Sequence, residues 1–185
     1  MLAYVFWHWP QPEVQVPEYE VRLREFHESL RAHPPDGFLR SASFRVSRAP
    51  WTPVSHAYED WYLIEDFTAL GALNEASVAG ARKQPHDSAA VLAAGGAGGV
   101  YRMLFGKTNP FEGSQAQWFS KPAGMTYADL RSEVVHLEKS VNSLWQRQMV
   151  LGQAPEFCLR GKESGALNPG FSPIILPLAP AVSFE

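Results

Sequence analysis

The 185-residue chain contains one cysteine, Cys158, so no disulfide bond can form within it. Its N-terminus, MLAYVFWHWP, lacks the basic segment and cleavage site of a secretion signal. Both features predict a reducing, cytoplasmic location. A lone cysteine is most often a small apolar core residue, and we expect this of Cys158, with a nucleophilic role as the alternative.

Charge is scarce and nearly balanced, because charged residues make up 19% of the chain and the formal net charge is −3. Proteins that bind nucleic acid without sequence preference need a basic surface, so we expect no nucleic-acid partner. No run of about 18 apolar residues occurs, so we expect no membrane partner. The six histidines lack metal-binding spacings, and we predict neither a metal nor a cofactor. His27 and His136 fall within predicted helices and are expected to be solvated.

Apolar residues are plentiful, with 45% hydrophobic and 12% aromatic residues, which excludes intrinsic disorder. Their spacing predicts the order β-α-β-β-α-β over residues 1–106. The first helix is marked by a stripe of apolar side chains: Tyr19, Leu23, Phe26 and Leu30. The predicted elements are strands at 2–9, 38–46, 58–66 and 100–105, and helices from 17 and from 67, with the second helix interrupted by Pro85 and followed by a flexible turn at 93–99.

The rest of the chain echoes its beginning. At one constant offset Trp9 aligns with Trp118 and His27 with His136. We therefore predict a first α+β domain at 1–106, a linker at 107–116 and a partial second repeat with a proline-rich tail at 117–185. A chance match between two amphipathic strand–helix units is the alternative. The predicted elements of this half are a strand at 117–121, a helix at 125–151, a strand at 157–160 and an edge strand at 174–176.

The strands of the first half are apolar on both faces. In the first strand Tyr4 and Phe6 point to one side, whereas Val5 and Trp7 point to the other. Two helices cover only one face of such a sheet, and an uncovered aromatic face would favour association. We expect the cover to be a second subunit, which makes a homodimer, or the chain's own C-terminal half.

The element order, the two-sided sheet and the stretch AYEDWYLIEDFTALGALNEASV resemble the dimeric α+β barrel superfamily. The resemblance implies an α+β fold: a ferredoxin-like βαββαβ antiparallel sheet with a second, truncated βαβ-like half, forming an α+β barrel. Superfamily members include haem-degrading and polyketide-oxidising monooxygenases and lactone isomerases. The haem-degrading branch is similar in placing an Asn on the first strand and a Trp on the second helix. Here the first strand has no Asn, and the helix has Leu73 and Asn74 where that branch has Trp, so we do not expect haem chemistry. His86 lies beyond Pro85 and is expected at the surface beside Asp87, with a role as an axial haem ligand as the alternative.

Asp60 is the most informative polar residue, because it shares a strand face with Tyr58 and Tyr62 and is expected to point into the barrel. A buried carboxylate needs a partner, and Arg40 and Arg102 on neighbouring strands are the candidates. These five residues are the predicted ligand-binding group. They would orient a carbonyl or phenolic ligand, with Asp60 as the general base. A structural ion pair at the barrel rim is the alternative.

His8, at the end of the first strand, is the second candidate for acid–base chemistry, with a hydrogen-bonded residue at a packed edge as the alternative. The chain is thus predicted to bind a small hydrophobic, carbonyl or phenolic molecule in the barrel, as a cofactor-free monooxygenase or isomerase. A non-catalytic dimer, with the aromatic face as its interface, is the alternative. An RNA-recognition module ranks last because the third strand is acidic at Glu59, Asp60, Glu65 and Asp66.

Overall fold

The computed structural model describes residues 1–106, 111, 113–139, 141–150, 155–161 and 167–182. These residues form an α+β protein with four α-helices and nine β-strands. In chain order the elements are β1 (Leu2–Pro10), α1 (Val16–Ala32), β2 (Phe38–Ser47), β3 (His56–Ile64), α2 (Phe67–Ser77), α3 (Gly80–Ala90), β4 (Ala93–Gly106), β5 (Gln115–Phe119), α4 (Tyr127–Val134), β6 (Ser143–Val150), β7 (Phe157–Gly161), β8 (Ile174–Pro177) and β9 (Ala179–Val182).

All nine strands belong to one antiparallel sheet, in the order β8-β5-β7-β6-β4-β1-β3-β2-β9. β8 and β9 stand at opposite ends of this order but are separated in the chain by Leu178 alone, so the sheet nearly closes into a barrel. The first four strands have the order β4-β1-β3-β2, and the next four repeat it as β8-β5-β7-β6. The two sets meet where β4 pairs with β6.

The inner face of the barrel is filled with aromatic side chains. Trp7 and Trp118 meet edge to face with ring centroids 5.2 Å apart, as do Trp61 and Trp145 at 5.4 Å. Cys158 is buried in the same core, as expected. The chain's own C-terminal half therefore covers the second face of the sheet. The homodimer is predicted because an apolar sheet face needs a cover, which a second subunit would supply. That face is covered within the chain, so the homodimer stays a prediction without this support.

The outer face of the first four strands is covered by α1, α2 and α3, whereas side chains of β5, β6 and β7 pack against α4. Pro17 lies in the first turn of α1, where its missing N–H costs no helical hydrogen bond. The predicted stripe of α1 is buried, which confirms the sequence pattern. His27 is buried with it, so the expectation that this side chain is solvated is wrong. The expectation is right for His136, which is exposed.

The prediction of a turn at residues 93–99 is wrong. These residues form the first half of the long strand β4. Their partner is β1, with Trp9 opposite Gly95, His8 opposite Gly96 and Phe6 opposite Gly98. Glycine has no intrinsic preference for strands. The strand forms here because β1 supplies both the backbone hydrogen bonds and large rings that cover the bare glycine backbone.

The helix predicted at 125–151 is only partly correct. α4 is capped by Thr126 and Asp129, ends at Val134 and passes into a 3-10 turn, and the chain is extended again from Ser143. All five residues of the predicted stripe are nevertheless buried in one cluster: Leu130, Val134, Leu137, Val141 and Leu144. The spacing thus identified burial correctly. It could not show that β4 and β7 bind the backbone of β6, since those contacts are remote in sequence.

The helix break near residue 80 comes earlier than predicted. α2 ends at Ser77, and Gly80 has a positive φ of 57°, a region that favours glycine. α3 then continues through Pro85, although a proline inside a helix removes a hydrogen bond. The domain boundaries at 106 and 117 stay a prediction, because linker residues 107–110 and 112 lie outside the described residues. No helix in the described ranges is long and apolar enough to cross a membrane.

Candidate active site

A cavity of about 650 Å³ lies between the outer face of the sheet and helices α1, α2 and α3. Its walls are mostly apolar, with rings from β1 and β3 on the sheet side and leucines of α2 on the helix side. The exposed side chains of Phe67, Val78 and Met149 stand at its mouth. A cavity of this size accommodates a small organic ligand.

Asp60 on β3 is the polar centre of this cavity. Its Oδ2 accepts hydrogen bonds from the hydroxyl of Tyr62 at 2.8 Å and from Nε2 of His27 at 3.2 Å. Nε2 of His8 lies 3.1 Å from the same oxygen but out of line for a hydrogen bond. Oδ1 of Asp60 has no hydrogen-bond partner in the described part of the chain. One carboxylate oxygen is therefore crowded with donors, whereas the other is buried without one.

His8 brings an imidazole from β1 to the cavity wall. Its ring is stacked between Phe6 and Tyr58, with centroid distances of 5.5 Å and 5.6 Å. Nδ1 is hydrogen-bonded to the hydroxyl of Tyr19 on α1 at 2.7 Å. Nδ1 is thus engaged, whereas Nε2 is buried beside Oδ2 of Asp60 without an aligned partner.

His27 approaches Asp60 from the opposite side. It comes from α1, its Nδ1 lies 2.7 Å from Oγ of Ser41 on β2, and its ring stacks on Tyr62 with an interplanar angle of 4°. Since a carboxylate only accepts hydrogen bonds, Nε2 of His27 carries the hydrogen of this contact. His27 is not among the residues that line the cavity, so it supports Asp60 from behind.

The electrostatics of the cluster follow from this arrangement. Burial alone would raise the pKa of Asp60, but the imidazoles of His8 and His27 hold it well below its ordinary value. Burial, and next the charge of Asp60, raise the pKa of Tyr62 and of Tyr19. At neutral pH the site therefore holds one carboxylate surrounded by neutral phenols.

The prediction that Asp60 points into the barrel is wrong, because its side chain points toward the helices. Side chains alternate along a strand, so Glu59 and Trp61 point inward and Asp60 points outward. Of the two predicted tyrosines, Tyr62 lines the cavity beside Asp60. Tyr58 stacks on His8 instead and donates a hydrogen bond to Oε1 of Glu20 at 3.0 Å.

The expectation that Arg40 or Arg102 pairs with Asp60 is wrong. Both side chains are exposed, and in the sheet register Arg40 lies opposite Leu63 and Arg102 opposite Leu2. The two imidazoles take the place of the predicted guanidinium. A ligand-binding role of the two arginines stays a prediction, although neither of them lines the cavity.

Sequence reasoning missed His27 and Tyr19 as members of the site. The signal was present, because the buried stripe of α1 runs from Tyr19 through Leu23 to His27 in steps of one helical turn. A histidine in such a stripe must meet a polar partner, since a buried unpaired nitrogen is costly. His86 lies beside Asp87 as expected, with Nδ1 3.1 Å from Oδ1, but it is half-buried and lines the cavity, where its ring packs edge to face on Phe26.

A second polar group lies inside the barrel and was also missed. Glu59 accepts hydrogen bonds from the indole nitrogens of Trp7 at 2.9 Å and Trp61 at 2.7 Å. Arg160 on β7 places Nη1 4.0 Å from Oε1 of Glu59. The guanidinium of Arg160 stacks on the ring of Phe44. Burial raises the pKa of Glu59 and lowers the pKa of Arg160. Both side chains are fully buried, so this pair contributes to the core, not to the cavity.

Within the described residues, no three His, Cys, Asp or Glu side chains are arranged to hold a metal ion. At Asp60 the two imidazoles instead approach the carboxylate itself, with both Nε2 atoms within 3.2 Å of Oδ2.

No protein-family model and no curated protein matches the chain. Solved structures do. A proposed monooxygenase of Fusobacterium nucleatum subsp. nucleatum has a TM-score of 0.63 at 10% identity, over 98% of this chain and 92% of that one. A proposed monooxygenase of Lactobacillus acidophilus scores 0.54 at 9% identity, over 98% and 94%. An anthrone oxidase-like protein scores 0.50 at 7% identity, over 88% and 73%. This likeness shows that the chain shares the α+β barrel-like fold of these proteins.

Proposed function

We propose that the protein is a cofactor-free monooxygenase that binds a carbonyl or phenolic molecule in the cavity and removes a proton from it. The observation that carries this proposal is the ionised, buried Asp60 in the wall of an apolar cavity, with His8 beside it. The cavity walls are mostly apolar, and Asp60, His8 and Tyr62 form one polar group on the sheet side, as expected where a ligand is held by one reactive end. The names of the structural neighbours support oxygenation over other proton-transfer reactions.

His8 is the proton acceptor in this proposal. Its Nδ1 is engaged with the hydroxyl of Tyr19 at 2.7 Å, so the proton is taken up at Nε2, beside Oδ2 of Asp60. When Nε2 takes up the proton, the imidazolium lies 3.1 Å from Oδ2 of Asp60 and is stabilised by that carboxylate. The donors from Tyr62 and His27 disfavour protonation of Asp60 itself, so the proton stays on His8.

With anthrone as the ligand, the reaction balances with dioxygen as the oxidant. His8 takes one proton of the reactive CH2 group, and the carbanion bonds to dioxygen. Return of the proton from His8 gives a hydroperoxide. Loss of the second C–H proton then breaks the O–O bond, so that the CH2 group becomes a carbonyl and one water molecule is released. An isomerase would use only the first proton transfer and would consume no dioxygen.

Oxygen uptake with anthrone tests the proposal. We expect wild-type protein to convert anthrone to anthraquinone, and Asp60→Asn to lower the rate by about 100-fold or more, because the base His8 then loses the carboxylate that stabilises its protonated form. Asp36→Asn makes the same chemical change at an exposed position and should leave the rate unchanged. A wild-type rate no higher than uncatalysed oxidation, or equal rates for Asp60→Asn and wild type, would refute the proposal.

The likeness to solved structures shows the α+β barrel-like fold but not how it divides into repeats. We infer that β1 to β4 form one ferredoxin-like unit and that β5 to β8 form a truncated second one. The repeated strand order and the βαβ order of β5, α4 and β6 support this inference.

A further inference from the structure

Polar side chains also line the cavity from its helix side, across from the group around Asp60. They are Asn74 and Ser77 on α2 and His86 on α3. The hydroxyl of Ser77 already donates to the backbone oxygen of Leu73 at 2.7 Å. Asn74 is exposed and its amide makes no hydrogen bond within the described residues, so nothing fixes its position. His86 is therefore the polar side chain of this wall that is both ordered and turned to the cavity.

The ring of His86 is held by two contacts. It packs edge to face on Phe26, with ring centroids 5.4 Å apart and an interplanar angle of 72°. Its Nδ1 lies 3.1 Å from Oδ1 of Asp87, whose Oδ2 accepts a hydrogen bond from Lys83. A side chain that is ordered before a ligand arrives loses little entropy when the ligand binds.

This orientation leaves one ring nitrogen of His86 without a partner. The hydrogen bonds from Lys83 and from His86 lower the pKa of Asp87, so this carboxylate is ionised at neutral pH and accepts the hydrogen on Nδ1. Asp87 is exposed and does not line the cavity, so Nδ1 is turned away from it. Nε2 lies on a different edge of the ring and has no hydrogen-bond partner within the described residues. In the neutral ring Nε2 is an acceptor, so its partner must be a donor such as a hydroxyl group.

Phe26 relates this nitrogen to the reacting end of the cavity. Its ring contacts both His86, at 5.4 Å between centroids, and Tyr62, at 6.4 Å. Tyr62 in turn donates to Oδ2 of Asp60. The two polar groups thus lie on opposite walls of the cavity with one phenyl ring between them, a separation that one aromatic ligand can span.

We propose that His86 determines substrate choice: Nε2 accepts a hydrogen bond from a second hydroxyl group, at the end of the ligand opposite its reactive carbonyl or phenol. The substrate class is then aromatic molecules that are polar at both ends, not carbonyl or phenolic molecules in general. His86 is favoured over Asn74 because its ring is already ordered, whereas the exposed amide would lose its freedom on binding. This inference rests on the proposed function only in taking the cavity as the ligand-binding site.

Two naphthols test the inference, because 2,6-dihydroxynaphthalene differs from 2-naphthol only by a second hydroxyl group at the opposite end of the same skeleton. Binding of each to the full-length protein is measured by titration calorimetry. We expect wild type to bind the diol about tenfold more tightly, the gain from one added hydrogen bond. His86→Phe keeps an aromatic ring against Phe26 but has no nitrogen. It should remove most of the preference for the diol and leave the affinity for 2-naphthol unchanged, which also shows that the cavity is intact.

Two control variants separate the imidazole from other effects. His136→Phe makes the same chemical change at an exposed position that does not line the cavity, and should keep the preference for the diol. Asn74→Leu removes the other unpaired polar side chain of the same wall. It should keep the preference as well, because the second hydroxyl is held by His86.

Equal affinity of wild type for the two naphthols, or failure of both to bind, would overturn the inference. The same holds if His86→Phe keeps the preference, if it weakens both ligands equally, or if Asn74→Leu abolishes the preference. These outcomes are independent of catalysis. A preference for the diol without oxygen uptake from anthrone would refute the proposed function alone, and oxygen uptake without this preference would refute the inference alone.

Discussion

Substitutions at the Glu59–Arg160 pair are expected to have unequal effects on stability. The pair joins β3 to β7 across the barrel core, with 4.0 Å between Oε1 and Nη1. At an effective dielectric constant of about 20, this separation corresponds to an attraction of about 4 kcal/mol. The three guanidinium nitrogens of Arg160 make no hydrogen bond within the described residues, so its partner in the core is the charge of Glu59.

Glu59→Gln should therefore destabilise the protein by about 3–5 kcal/mol, the usual effect of leaving a buried charge unpaired. Arginine cannot escape by losing a proton, because its pKa is too high. Arg160→Met should cost less, since Glu59 can neutralise itself by taking up a proton. The double variant Glu59→Gln/Arg160→Met leaves no buried charge and should be more stable than Glu59→Gln alone.

The sign of the pH dependence distinguishes these cases. In Arg160→Met, burial raises the pKa of Glu59 without an opposing cation, so the folded state holds a proton that the unfolded state releases above about pH 4.3. Stability should then fall with rising pH, by up to about 1.4 kcal/mol per unit, until Glu59 ionises in the folded state. Glu59→Gln should show no such additional slope.

Urea unfolding followed by tryptophan fluorescence, at about pH 5.5 and about pH 8, measures all three variants. Four indoles pack around the pair, so the signal reports directly on this core. If Glu59→Gln proves no less stable than the double variant, Arg160 is not an unpaired buried charge and the argument fails. A pH-independent stability difference between Arg160→Met and wild type would contradict the proton uptake.

Two further stability predictions follow from the outer layer. The pKa of Asp60 is lowered in the folded state, so the contribution of this carboxylate to stability is present above its unfolded pKa of about 3.9 and is lost as pH falls through the folded value. The urea midpoints of wild type and Asp60→Asn should therefore converge in acid. A constant difference down to the lowest pH at which both fold would contradict this. Thr126→Ala removes the capping box with Asp129, and should lower the free energy of unfolding by about 1 kcal/mol. An unchanged denaturation midpoint would show that this cap does not stabilise α4.

The site was partly predictable from sequence. Alternation along β3 placed Asp60 and Tyr62 on one face, and this is correct. The pattern could not show whether this face is turned to the barrel interior or to the helices. Both faces of β3 are apolar, and they differ only in what packs against them. The prediction of an arginine partner was wrong because it considered only neighbouring strands, whereas His27 reaches Asp60 from a helix.

Sequence alone determined the apolar burial of the first half of the chain, namely the apolar stripe of α1 and the two apolar faces of β1 and β3, and with it the need for a second cover. The burial of His27 was not part of this pattern. Periodicity records burial because it depends only on local backbone geometry. Tertiary structure decided which elements pack against these residues. It made a strand of the glycines at 93–99, ended α4 so that β6 could pair with β4, and closed the barrel with β8 and β9. Each of these outcomes depends on hydrogen bonds between segments remote in sequence, which no local pattern contains.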